Sequence, residues 1–262
     1  MNIQQIRNAT LKIQYGGKTF LVDPWLAPRW SMGAFADIPG HPFRLKDQAK
    51  EQIPMPRYGL PLPAEDILAG VDCYLVTHIH PDHIDMAPDG TVGAPLDKSV
   101  PVFVQNTEDA EAFKRSGFRH VEVLKENGFG EAHLTKTPAR HGVIKPCGDA
   151  CGVVLQCAGE KTLYIAGDTV WYDGVEKTLA SQNPDIVILN ACAAELEGYG
   201  RLIMGDEDVE AVSVTAPDAQ IVLTHMDNVA HASITRHEMR AKLYRRGIKN
   251  YLMPQDGESL ML

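Results

Sequence analysis

Apolar and polar positions along this chain follow two rhythms. Near the start, Thr10-Leu11-Lys12-Ile13-Gln14-Tyr15 alternates apolar with polar residues, Gly16-Gly17 offers a turn, and Thr19-Phe20-Leu21-Val22 returns. That pattern predicts a hairpin, with Asp23-Pro24 ending its second strand. From residue 71 onward, short apolar runs alternate with helical segments. Strands are expected at Cys73–Val76, Val100–Val104, Val121–Leu124, His133–Lys136, Gly152–Leu155, Thr162–Ala166, Ile186–Leu189 and Ile221–Leu223. Helices are expected at Glu108–Arg115, closed by Ser116-Gly117, and at about Glu207–Thr215 after the acidic turn Gly205-Asp206. A last helix opens on a capping box, Thr235 to Glu238, and ends at Gly247. With no internal repeat or polar linker, the simplest organisation is one α/β domain over residues 1–262.

Residues 25–66 break the rhythm. They carry Pro28, Pro39, Pro42, Pro54, Pro56, Pro61 and Pro63 among Trp25, Trp30, Phe35 and Phe43, with no periodicity. Such a segment suits a lid, an interface loop or a packed surface excursion.

Composition narrows the partners. A formal charge of −9, with no basic stripe longer than Arg245-Arg246, argues against nucleic acid. No apolar run approaches the roughly 18 residues a membrane span needs, and residues 1–8 lack a basic then apolar leader pattern. No stable membrane insertion and a cytoplasmic location are therefore expected. Five cysteines with no C-x-x-C pair form no disulfide framework. Cys147 and Cys151, four apart, are a weak zinc signal and read as reduced packing residues.

The chemistry concentrates in Val76-Thr77-His78-Ile79-His80-Pro81-Asp82-His83, where three imidazoles and a carboxylate occupy six residues after an apolar strand. On extended backbone His78 and His80 point the same way, because side chains alternate with period two. Pro81 then turns the chain, so that Asp82 and His83 can face a second position. One metal rarely takes all four from so short a stretch, whereas two adjacent metals can share them. Further donors stand where other apolar runs end: His141 in Ala139-Arg140-His141-Gly142, Asp168 in Ala166-Gly167-Asp168-Thr169, and His225 in Leu223-Thr224-His225-Met226. Strand ends along one sheet edge are where α/β proteins place their sites. His41, His120, His133 and His237 stand in no such constellation.

The ordered set His-x-His-x-Asp-His, then a distant His, Asp and His, resembles the metallo-β-lactamase superfamily. The resemblance runs from Asp23-Pro24 to His225, with the early Gly-Gly-Lys and Leu-Val-Asp-Pro and the later Ala166-Gly167-Asp168-Thr169 similar to the ascorbate-6-phosphate lactonase-like branch, itself related to N-acyl phosphatidylethanolamine phospholipase D. It implies a four-layer αββα sandwich with two divalent metals at one edge. Carried over by position, His78, His80 and His141 would hold the first metal, Asp82, His83 and His225 the second, and Asp168 would bridge them. Ligands of nitrogen and oxygen without thiolate suit Zn²⁺, and also Mn²⁺ or Fe. Asp23 would orient a ligand imidazole or simply cap a turn. His231, six residues after His225, could replace it as ligand or act as proton donor or oxyanion partner.

These readings imply a hydrolase. A water between two cations deprotonates near neutral pH, and the hydroxide would attack a carbonyl or phosphoryl centre. Asp82, Asp168 and His231 are the candidate catalytic residues, with His231 or Asp168 returning a proton to the leaving group. The leading substrate class is a small polar ester or lactone. The alternative is a small cyclic phosphodiester or a phospholipid, with Trp25, Trp30 and Trp171 read as exposed aromatics able to contact lipid or, equally, as core-packing residues. A redox or non-hydrolytic binding protein is the third reading. Pocket walls are expected from residues 25–66, Trp171-Tyr172 and Ala193–Met204, and homo-oligomerisation is possible.

Overall fold

The computed structural model describes residues 1–38, 43–45, 47–142 and 147–262. His41, Pro39 and Pro42, singled out above, lie outside them. In chain order the strands are β1 (Asn2–Arg7), β2 (Thr10–Tyr15), β3 (Lys18–Val22), β4 (Cys73–Val76), β5 (Val102–Val104), β6 (Val121–Val123), β7 (Glu126–Phe129), β8 (Ala132–Pro138), β9 (Cys151–Gln156), β10 (Leu163–Ile165), β11 (Ile186–Asn190), β12 (Glu195–Leu196), β13 (Gly200–Arg201), β14 (Gln220–Thr224), β15 (Tyr251–Leu252) and β16 (Ser259–Met261). The α-helices are α1 (Ala64–Leu68), α2 (Thr107–Arg115), α3 (Asp173–Gln182), α4 (Asp206–Thr215) and α5 (Arg236–Arg245).

Two seven-stranded sheets result, ordered β16-β1-β2-β3-β4-β5-β6 and β15-β14-β11-β10-β9-β8-β7, plus a β12-β13 ribbon. The period-two alternation of the strands builds the layers. In β4 and β5, Cys73, Leu75 and Phe103 face inward and meet Leu134, Val153, Leu155, Ile165 and Ile188 of the other sheet. Their neighbours Tyr74, Val76, Val102 and Val104 face outward and are covered by Ile67 of α1 and by Ala110 and Phe113 of α2. On the second sheet, Val187, Leu189, Ile221 and Leu223 face out against Val175 and Leu179 of α3, Val209 and Val212 of α4, and Met239 and Leu243 of α5. Strands covered on both faces read as unbroken apolar runs, which is why β4 and β11 are buried at every position. The order is helix, sheet, sheet, helix, an αββα sandwich.

Strand direction gathers the functional positions. β3, β4 and β5 run parallel, as do β10, β11 and β14. Two successive antiparallel pairings set β1 parallel to β3 and β8 parallel to β10. The carboxyl ends of these strands therefore share one edge.

Several elements differ from expectation. β1 and α3 carry no clear pattern in the sequence, yet β1 is an interior strand of its sheet, between β16 and β2, and α3 spans ten residues. Gln5 in β1 is fully buried because its amide donates to the Asn8 carbonyl and its Oε1 accepts from Thr224 Oγ1. Trp25 is not an exposed aromatic: it is fully buried, with the Arg7 guanidinium 4.4 Å over its ring. Trp171 is half-buried, and Trp30 alone of the three is exposed, under the Arg29 guanidinium. Among the described residues no helix is long and apolar enough to cross a membrane.

Candidate metal centre

The His78–His83 segment leaves the end of β4 and turns at Pro81, where the amides of His83 and Ile84 both donate to the His80 carbonyl. The ends of β8, β10 and β14 bring His141, Asp168 and His225 to the same place. Three overlapping groups converge, each with its donor atoms within 4.8 Å of one another: His78, His80 and His141; His78, His83 and Asp168; Asp82, His83 and His225. His78 Nε2 lies 2.9 Å from His80 Nδ1, and His83 Nε2 lies 3.0 Å from His225 Nε2. Asp168 stands between the outer groups: its Oδ2 is 3.3 Å from His83 Nε2, 3.8 Å from His141 Nε2 and 3.9 Å from His78 Nε2, while its Oδ1 is 3.8 Å from His225 Nε2.

The outer nitrogens set the tautomers through the hydrogen-bond network. Asp23 accepts from the Thr77 amide at 2.7 Å, the Thr77 hydroxyl at 2.8 Å and His83 Nδ1 at 2.9 Å. Because the Thr77 hydroxyl donates to Asp23, it accepts from His78 Nδ1 at 3.1 Å. His141 Nδ1 donates to the Leu202 carbonyl at 3.1 Å. Each bond places a proton on the outer nitrogen and makes the inward Nε2 the atom that can offer a lone pair once it is deprotonated. Asp23 thus orients an imidazole, and its backbone, at φ +43°, is also in the left-handed region typical of a turn.

The field of the cluster is uneven. Burial, reinforced by neighbouring imidazoles, pushes His78 far down and His80 down to about 4. Burial lowers His141 as well. Burial also opposes charge on His83, but Asp168 and Asp23 overcome it and lift the group to about 10. His225 is raised in the same way against burial, chiefly by Asp168. Partly buried Asp82 is held well below the carboxylate range by His225, His231 and His83, and buried Asp168 by His83, His225 and His141, in each case against the burial that opposes it. Buried carboxylates require positive charge nearby. Inward nitrogens about 3 Å apart around carboxylates are the arrangement a divalent cation satisfies, and this nitrogen–oxygen donor set fits Zn²⁺, Mn²⁺ or Fe.

His225 belongs to the converging donors. His231 stands on the far side of Asp82, its Nε2 3.3 Å from Asp82 Oδ2 and its ring 6.1 Å from that of His225. Phe35 and Phe43 of the 25–66 excursion stack on His231, with ring centroids at 5.4 and 5.1 Å. His120, His133 and His237 are exposed and outside the cluster.

A cavity of about 360 Å³ opens beside His78 and His80. Gln105–Asp109 and Cys147–Asp149 supply most of its lining, rather than the segments expected to form the walls. Sequence reasoning also missed two asparagines. Asn190, at the end of β11, donates its amide to Asp168 Oδ1 at 2.6 Å, and Asn8, in the β1–β2 turn, reaches Asp82 and His225. Neither has a spacing signal, though Asn190 closes an apolar run as the other site residues do.

The beta-lactamase superfamily domain matches residues 18–226, a span that contains every converging donor. The chain belongs to this family, the metal-dependent hydrolases of the metallo-β-lactamase fold. It is 39% identical to the UPF0173 protein YddR of Bacillus subtilis (strain 168), over 99% of each chain. The structure of a possible metal-dependent hydrolase from Veillonella parvula DSM 2008 superimposes with a TM-score of 0.90 at 34% identity, covering 100% of this chain and 99% of that one. The structure of an isothiocyanate hydrolase from Delia radicum gut bacteria gives 0.87 at 37% identity over the same shares.

Proposed function

We propose that this chain is a two-cation hydrolase of small uncharged electrophiles, an ester or lactone being the first choice. His78, His80 and His141 would hold one ion, and Asp82, His83 and His225 the other, with Asp168 facing both. Two divalent ions bound there would acidify water to give a hydroxide nucleophile near neutral pH and stabilise developing negative charge. The chain's own groups supply the rest. Thr77 and Asp23 hold the inward lone pairs of His78 and His83 in place. His231, fixed by the Phe35–Phe43 stack and by Asp82, is placed to deliver a proton from Nε2 to a leaving oxygen.

The observation that carries the substrate class is the cavity beside His78 and His80. Its described lining includes Glu108, Asp109 and Asp149, with no lysine or arginine. Among the described residues, a phosphoryl or carboxylate group there would face carboxylates with no cationic side chain to meet it, leaving only the bound ions to attract it, whereas a neutral carbonyl compound meets no such repulsion. This supports the ester or lactone over the phosphodiester.

A second reading has its own support. A structure similar over the whole chain is of an isothiocyanate hydrolase, and the central carbon of an isothiocyanate is an uncharged electrophile open to the same hydroxide attack. The test is a side-by-side profile of Zn²⁺- or Mn²⁺-loaded protein on γ-lactones, p-nitrophenyl acetate, benzyl isothiocyanate and bis-p-nitrophenyl phosphate. Turnover of neutral carbon electrophiles well above the phosphodiester is expected. The reverse preference would overturn the proposal.

A further inference from the structure

Asn8 lies far in sequence from the His–Asp motif, in the turn between β1 and β2, and is fully buried. Its backbone adopts φ +52°, a conformation asparagine tolerates better than most residues, and this alone would explain an asparagine in a turn. The side chain requires a second explanation. Asn8 Nδ2 lies 3.0 Å from the Asp82 carbonyl, 3.4 Å from Asp82 Oδ2 and 3.3 Å from His225 Nε2. It therefore touches two of the three side chains that converge as one donor group, 74 and 217 residues away along the chain. The donation to the Asp82 carbonyl fixes which end of the amide faces the cluster, since the flipped amide would set oxygen against oxygen there. The remaining amide hydrogen then faces Asp82 Oδ2 and His225 Nε2. Oδ1 is buried with no partner, a state that protein interiors rarely keep without a functional reason.

The backbone of Asn8 closes the link from the other side. Its carbonyl accepts from the His225 backbone amide at 3.1 Å and the Gln5 side-chain amide at 2.9 Å, and lies 2.5 Å from the Thr224 hydroxyl, whose one proton it shares with Gln5 Oε1. The β1–β2 turn thus grips the His225 backbone while its side chain grips Asp82. We infer that Asn8 is the positioning residue of the second cation site, setting Asp82 and His225 in register with each other. This rests on the two-cation reading. With a cation on His225 Nε2, the free amide hydrogen is left to Asp82 Oδ2, orienting that carboxylate as a ligand. By contrast, His78, His80 and His141 make none of Asn8's hydrogen bonds.

The test is a stepwise Co²⁺ titration of chelator-stripped protein, read by visible absorption and by heat, on the wild type, Asn8→Gly and Asn8→Ala. Glycine keeps the left-handed turn while removing the amide. The expected result is a 10–100-fold fall in one of the two stepwise constants with the other unchanged, the usual effect of losing a group that orients a ligand. An equal fall in both, or none in either, would overturn the assignment and make Asn8 a turn residue only. A wild type that binds no second ion would instead overturn the two-cation reading, and the inference with it. Should both variants fail to fold, the Asn8 side-chain amide is followed by NMR in the wild type during Zn²⁺ titration. Its resonance should shift in one binding step and not the other; movement in neither step, or equally in both, counts against the proposal.

Discussion

Replacing Asp23 with asparagine changes one atom of the site and should weaken cation binding at both donor groups. Asp23 Oδ1 accepts from the Thr77 amide, and Oδ2 accepts from both the Thr77 hydroxyl and His83 Nδ1. In Asp23→Asn the amide carbonyl can keep the Thr77 bond, so the NH₂ falls where Oδ2 was. It then donates to both former donors: the Thr77 hydroxyl must turn its own proton to His78 Nδ1, and His83 Nδ1 must accept. The imidazole proton moves to Nε2, the atom that faces His225 and Asp168. A protonated Nε2 cannot bind a cation. Orienting groups of this kind are typically worth about 10–100-fold in metal affinity, or ~1.4–2.8 kcal/mol. The metal-stripped protein should also lose about 2–4 kcal/mol. A fully broken buried ion pair costs ~3–5 kcal/mol, and here the amide still accepts one bond. Asparagine tolerates the left-handed backbone at this position, so the turn itself is not disturbed. Calorimetric cation titration and urea unfolding read the two effects separately. Unchanged affinity for both ions would refute the tautomer argument.

Other outcomes follow from the same geometry. His231→Gln should lower kcat by about 10²–10⁴-fold, the usual range for a lost general acid, while elemental analysis shows unchanged metal content; full activity would remove His231 from the reaction. His80→Ala and Asp168→Ala should abolish turnover while unfolding stays cooperative by circular dichroism, and unchanged activity in both would sink the mechanism. In chelated protein, His83 is raised from 6.5 to about 10, so its contribution to stability is complete below about pH 6.5 and lost as pH rises toward 10. His80 is lowered to about 4, so the unfolded chain takes up its proton first and stability also falls as pH drops from 6.5 toward 4. Tm of the stripped protein should therefore peak near pH 6.5. A Tm that rises steadily across the whole range would contradict this.

Much of the fold was legible because strands buried on both faces must be written as apolar runs. Cys73–Val76 and Ile186–Leu189 are such runs, and the candidate metal donors sit just beyond the ends of β4 and of similar strands. β1 was not legible, because Gln5 pairs with Asn8 and Thr224 in the interior, and a sequence shows a glutamine without showing its partners. α3 opens on Tyr172, which makes no side-chain cap, and has Gly174 in its first turn, so its start carries no signal. Within the site, the compact motif at residues 78–83 announced itself by density. Asn8 and Asn190 act through contacts made across the fold, which leave no spacing to read. The cavity lining was missed for the same reason, since α2 and residues 147–149 meet His78 only in three dimensions.

The most direct test of the account is metal content per chain, by elemental analysis of protein purified with neither added metal nor chelator. The account predicts a value close to two, in zinc, manganese or iron. A value near zero that does not rise when Zn²⁺ or Mn²⁺ is supplied would contradict it.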